Sequence, residues 1–144
     1  MSDAEVLAAN DAFYAAFAGR DYDAMDQVWA RQAPCACIHP GWNVLHGRAR
    51  VMASWRSIFE SGGAPPIQPS NATAHVLGET AFVVCLENVP GATLIATNVF
   101  TREGDLWVMV HHQAAPVARA AVPESADEEE ADGEDEPPGG GMLN

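Results

Sequence analysis

The pair Pro65-Pro66 divides this chain into two regions whose apolar residues repeat with different periods. Before it the spacing is helical. Val6, Asn10, Phe13 and Phe17 fall on one stripe, flanked by Leu7 and Tyr14. Ser2 or Asp3 can cap this first helix, and Gly19 ends it. Asp21 can cap a second helix bearing Met25, Val28 and Trp29, which Pro34 stops. Cys35, Cys37 and His39 alternate with Ala36 and Ile38 as in a short strand, and Pro40-Gly41 marks a turn. Gly47 precedes a third helix with Val51, Trp55, Ile58 and Phe59 on one stripe. After the prolines the period is two, with strands expected at 67–77, 81–89, 93–102 and 106–115. Gly78-Glu79, Pro90-Gly91 and Glu103-Gly104-Asp105 separate them, each short enough for a hairpin. Helices followed by a meander predict an α+β domain: a curved antiparallel sheet with three N-terminal helices on its concave face, enclosing a tapering pocket.

The domain is expected to span residues 1–122. Of the 144 residues, 48% are hydrophobic, enough for a core without metal or disulfide staples. Residues 1–123 hold 11 acids and 7 arginines, whereas residues 124–144 hold 9 acids and no base. A stretch with so little to bury and so much self-repulsion predicts a disordered acidic tail at 123–144. Nucleic acid is excluded as a partner because phosphate binding needs a basic stripe. The chain has no lysine, which removes Schiff-base chemistry. No apolar run approaches the roughly 18 residues of a membrane span, so no membrane partner is expected. Three cysteines, an odd number, and an acidic N-terminus indicate a reducing, cytoplasmic setting.

Several side chains have the chemistry of a site. Glu87 is the only acid within a strand core, between Leu86 and Asn88, and is a candidate base if it faces the pocket. Tyr14 can supply a phenol donor from the first helix, and Asn98 interrupts an apolar strand, so its amide needs partners. His111 and His112 point to opposite faces of the last strand; alternation groups His111 with Trp107, Met109 and Gln113. Phe17, Trp29, Trp42 and Trp55 are expected to wall the pocket beside Tyr14 and Asn98. Cys35, Cys37 and His39 splay too widely along a strand for one tetrahedron, so packed thiols, no metal and no cofactor are expected. Alternation also groups Val83 and Cys85 with Ile95 and Thr97, and Phe82 and Val84 with Leu94 and Ala96. Both sets are apolar and helices can cover only one, which predicts a homodimer through the other.

A His39-Pro-Gly-Trp42 turn, a Gly47-Arg48 pair opening a helix that carries Trp55, and a closing strand with Trp107 and His111 form a recognisable constellation. Over about residues 3–118 it resembles the SnoaL-like branch of the nuclear transport factor 2-like superfamily. That superfamily also holds ketosteroid isomerases and the association domain of calcium/calmodulin-dependent kinase. The resemblance implies a cone fold with a central cavity. It also implies that Arg48 makes a structural salt bridge to the second-helix region and that His111 is the functional histidine. Gln113 and Ala115 depart from the second histidine and the serine of relatives, and the steroid isomerase acid pair is not present. The expected function is binding of a small hydrophobic molecule in the cavity. The alternatives are an isomerase, cyclase or dehydratase using His111 or Glu87 as base, and a non-catalytic assembly domain.

Overall fold

The structure, a computed structural model, describes residues 2–62 and 64–118. The expected tail at 123–144 lies outside the described residues. Helix α1 spans Asp3–Ala18 and starts where the Ser2 side chain accepts the Glu5 N–H. Helix α2 spans Tyr22–Val28, and its cap, Asp21, accepts the Ala24 N–H at 3.0 Å. Strands β1 (Ala36–Ile38) and β2 (Leu45–His46) follow, then helix α3 (Arg48–Ser61). The long strands are β3 (Gln68–Leu77), β4 (Thr80–Val89), β5 (Ala92–Glu103) and β6 (Leu106–Pro116).

The sheet order is β2-β1-β6-β5-β4-β3. The last four strands form the expected meander, but the sheet is mixed, because β1 runs parallel to β6. The chain between β1 and β6 runs through β2, α3 and the other three long strands, so this parallel pair is joined by a long connection and not by a hairpin. Gly47 links the two short strands to α3. Its N–H donates to the Cys35 carbonyl at 2.8 Å, and its own carbonyl accepts the Val51 N–H at 3.0 Å. It does so at φ 91° and ψ 147°, a conformation open essentially to glycine alone.

Pairing of β4 with β5 sets the two faces of the sheet. Val83 lies opposite Asn98, Cys85 opposite Ala96 and Glu87 opposite Leu94, and all six are buried under the helices. Ile95 and Thr97 therefore lie on the outer face with Phe82 and Val84, which corrects the grouping expected from alternation within each strand. Along β6 the register slips, so that Val99 faces His111 while Phe100 faces Met109 and Val110 is left over. This bulge places Trp107 and Met109 on the inner face at one end and His112 and Ala114 on it at the other. From α1, Val6, Asn10, Phe13 and Tyr14 pack onto this face, and from α3, Val51, Met52, Trp55 and Phe59.

Candidate functional site

Between α1, α3, the β1–β2 loop and the inner face of β4–β6 lies a cavity of about 320 Å³. Most of its wall is apolar. Phe13, Tyr14 and Phe17 come from α1, Trp55 and Ile58 from α3, and Trp42 from the loop; Pro65, Ile67, Val89 and Leu94 complete the rim. Trp42 is 45% exposed and meets His39 edge to face at 4.7 Å, so it stands at the mouth. Three polar side chains reach the cavity besides Tyr14: His39, Glu87 and His112.

These polar groups belong to one network whose polarity is set by Asn98. Its Nδ2 donates to Asn10 Oδ1 at 2.8 Å and to the Tyr14 hydroxyl oxygen at 3.2 Å. The Tyr14 hydroxyl donates in turn to Glu87 Oε2 at 2.6 Å, with Cys85 Sγ 3.3 Å away. The Asn98 Oδ1 can only accept, so His112 donates to it from Nδ1 at 2.6 Å. The proton on Nδ1 leaves His112 Nε2 as a bare acceptor, 4.0 Å from Glu87 Oε2. A second histidine is locked in the same way. The Ser54 hydroxyl donates to the Val51 carbonyl at 2.6 Å, so its oxygen accepts the His39 Nε2–H at 2.9 Å.

Burial governs the charges of this network. It pushes His112 down to about 3, helped by repulsion from His39 and His111, and pushes His39 down to about 4. Both imidazoles are therefore neutral near pH 7. Burial raises the Glu87 carboxyl above the ordinary carboxylate range, although the Tyr14 hydrogen bond pulls the other way. Burial, and then the neighbouring Glu87 charge, raise the Tyr14 phenol, which stays a donor at all working pH values. With His112 neutral, the 4.0 Å contact is no ion pair, and Glu87 sits 2% exposed without a cation among the described residues.

Of the residues expected at the site, Tyr14, Phe17, Trp42, Trp55 and Glu87 line the cavity. Asn98 stands behind the lining and orients it. Trp29 is a core residue, fully buried, whose backbone bridges to Met109. His111 is turned away: its Nδ1 donates to the Ala36 carbonyl at 3.1 Å, so it ties β6 to β1. The bulge at Val110 is the reason, since it gives the inner face to His112. The sequence reading chose His111 over His112, named His39 only as a polar residue beside the turn and a possible metal ligand, and did not single out Ser54. The apolar stripe of α3 hides Ser54 one position before Trp55, and no local pattern announces a bulge. Cys35, Cys37 and Cys85 are buried free thiols, and burial raises each of them, Cys37 to about 12. Arg48 makes the expected bridge. It donates to the Trp29 and Ala30 carbonyls at 2.9 and 3.0 Å and pairs with the Asp26 carboxylate.

The sequence matches the SnoaL-like domain over residues 6–119. The chain belongs to the SnoaL-like domain family. Within the wider NTF2-like superfamily its fold recurs in many solved structures. A candidate dehydratase of the NTF2-like family from Streptomyces avermitilis is 30% identical, with a TM-score of 0.73 over 80% of this chain and 95% of that one. A candidate calcium/calmodulin-dependent protein kinase type II association domain from Thiobacillus denitrificans is 40% identical, with a TM-score of 0.68 over 76% of this chain and 93% of that one. An NTF2-like protein of unknown function from Pseudomonas putida, 18% identical with a TM-score of 0.69, covers 78% of this chain and 84% of its own, and shares the fold. No curated protein matches the chain. This SnoaL-like domain thus has one relative named for chemistry and another named for assembly, so the cavity has to decide between them.

Proposed function

We propose that this SnoaL-like protein binds a small, largely apolar molecule in its cavity, with the polar end of that molecule against Glu87. The observation that carries this reading is the buried Glu87 carboxyl on the cavity wall, held by Tyr14 and without a cation. Such a group destabilises a fold unless something else requires it, and it sits where a ligand would meet it. A cavity of about 320 Å³ that the protein's own side chains leave open supports ligand binding over a purely assembling role. Acid–base catalysis is the second reading. It is favoured by the raised pKa of Glu87, which brings a carboxyl toward the range where it can both take and return a proton. We also propose a two-fold dimer through the outer face of the sheet.

The binding reading is tested by NMR on the four tryptophan indole N–H signals, titrating with benzyl alcohol as a small amphipathic probe. Trp42 and Trp55, which line the cavity, are expected to shift, while Trp29 and Trp107 stay in place. Leu94→Phe, which narrows the cavity from β5, should abolish the shifts. Absence of any Trp55 shift, or its persistence in Leu94→Phe, refutes binding in the cavity.

A further inference from the structure

We propose that the ligand of this cavity is a small organic cation, an ammonium carried on an apolar or aromatic body. The proposal rests on the binding reading above and specifies the charge and hydrogen-bonding character of the molecule. Its basis is the donor and acceptor pattern at the polar end of the cavity. Asn98 fixes His112 with its proton on Nδ1, so the nitrogen nearer Glu87 is a bare acceptor. The Tyr14 hydroxyl proton is already given to Glu87 Oε2. Glu87 and His112 Nε2, 4.0 Å apart, therefore present acceptors to the cavity, while the unpaired donors of this region, Asn10 Nδ2 and the Trp55 indole N–H, are themselves buried. A carboxylate or ketone oxygen placed there meets two acceptors. An ammonium brings several N–H donors and the positive charge that Glu87 lacks.

Two further observations point the same way. No arginine lines the cavity among the described residues, and the chain has no lysine, so nothing there offsets the Glu87 charge. The rings of Phe13, Tyr14, Phe17, Trp42 and Trp55 form its wall, and aromatic rings beside a carboxylate favour cations over anions. The whole chain carries a formal net charge of −13, which draws cations toward it and repels anions. The volume of about 320 Å³ lies at the small end of the range of ligand pockets, which suits a small molecule.

The test compares three probes of one shape by the same indole shifts and by calorimetry: benzylamine, benzyl alcohol and benzoate. At pH 7 benzylamine is expected to bind on the order of tenfold more tightly than benzyl alcohol, and benzoate not at all. Glu87→Gln keeps the shape, removes the charge and should erase the preference for the amine. Wild-type protein supplies an independent arm through its pH dependence. Facing Glu87 are Tyr14 from α1, His112 from β6 and Cys85 from its own strand, with His39 beyond His112. Both histidines stay neutral above about pH 4, and Tyr14 and Cys85 are held protonated. Benzylamine remains a cation over the working range, and Glu87 is the facing carboxyl, raised by its burial, so the affinity should fall on acidification as Glu87 takes up a proton. Equal binding of benzyl alcohol and benzylamine overturns the cation proposal and leaves the binding reading intact. A flat pH series, or an amine preference that survives in Glu87→Gln, overturns it too. Failure of all three probes to shift Trp55 overturns both.

Discussion

Burial weakens the acidity of Glu87 and the basicity of His112, and the two leave opposite signatures on stability against pH. A carboxyl whose folded pKa is raised adds stability below its unfolded value of about 4.5, and that stability is lost as pH rises through the folded pKa. A histidine lowered from 6.5 to about 3 acts the other way: stability is complete above 6.5 and is lost as pH falls toward 3. His39, lowered to about 4, adds to the second effect. Between pH 4.5 and 6.5 the carboxyl therefore masks part of the acid lability of the histidines. Glu87→Gln is expected to be more stable than wild type at pH 8 and to lose stability more steeply on acidification. Urea unfolding midpoints at pH 8, 6.5 and 5 check both; a variant no more stable at pH 8 means that the carboxyl is not held at a raised pKa. Asn98→Ala removes the group that orients Tyr14, Asn10 and His112. With at least two buried partners orphaned at ~1–3 kcal/mol each, the expected loss is about 2–6 kcal/mol by urea denaturation. Asn98 and Glu87 were both legible in the sequence as polar residues within apolar strands. Their union with Tyr14 was not, because 84 and 73 residues of chain separate them from it.

At the scale of elements, legibility followed the source of the signal. Caps and glycines act locally, so Ser2 and Asp21 start their helices and Gly19 ends the first where the sequence placed them, whereas α2 stops at Val28 with Trp29 already extended, well before Pro34. The two-residue strand β2 carries too few side chains for any period, and it exists through its pairing with β1. The faces of β4, β5 and β6 depend on register between strands, which alternation within a strand does not contain. The bulge at Val110 then reversed the parity halfway along β6, and with it the choice between His111 and His112. That Arg48, the clasp between α2 and α3, needs a partner was legible because a cation at a helix start is unfavourable unless it is paired, and the family resemblance pointed to the α2 region. Arg48 is only 24% exposed, contacts three backbone carbonyls and shares the Asp26 carboxylate with Arg31. Arg48→Met is expected to destabilise the domain by about 2–4 kcal/mol, since it strips buried acceptors of their donor. Arg31→Ala, at a side chain 51% exposed, should cost under about 1 kcal/mol. Thermal and urea unfolding of the two variants side by side checks the contrast, and equal losses would mean that Arg31 holds the clasp.

For the whole molecule, the helices cover one face of the sheet and leave the other open. Phe82, Val84 and Leu86 of β4 are only half-buried there, and Ile95 of β5 is 45% exposed. The strands concerned lie in the middle of the sheet, flanked by β3 on one side and β6, β1 and β2 on the other, so the apolar strip is bounded by further backbone and not by solvent edges. A strip of this kind in a chain that repels its own copies through a net charge of −13 needs a gain in apolar burial to bring two copies together. The expected outcome is a two-fold dimer whose axis passes near Ile95, so that this residue meets the partner's equivalent surface. Ile95→Glu would then introduce two like charges at the interface, one from each copy, in a place that is open in the single chain. The variant should sediment as a monomer at micromolar concentration while wild type sediments as a dimer. Since Ile95 lies on the face of the sheet opposite to the Asn98 network, the variant's indole shifts with benzylamine should persist. A monomeric wild type refutes the dimer, and loss of the benzylamine shifts in a folded Ile95→Glu would show that the cavity is completed by the second copy.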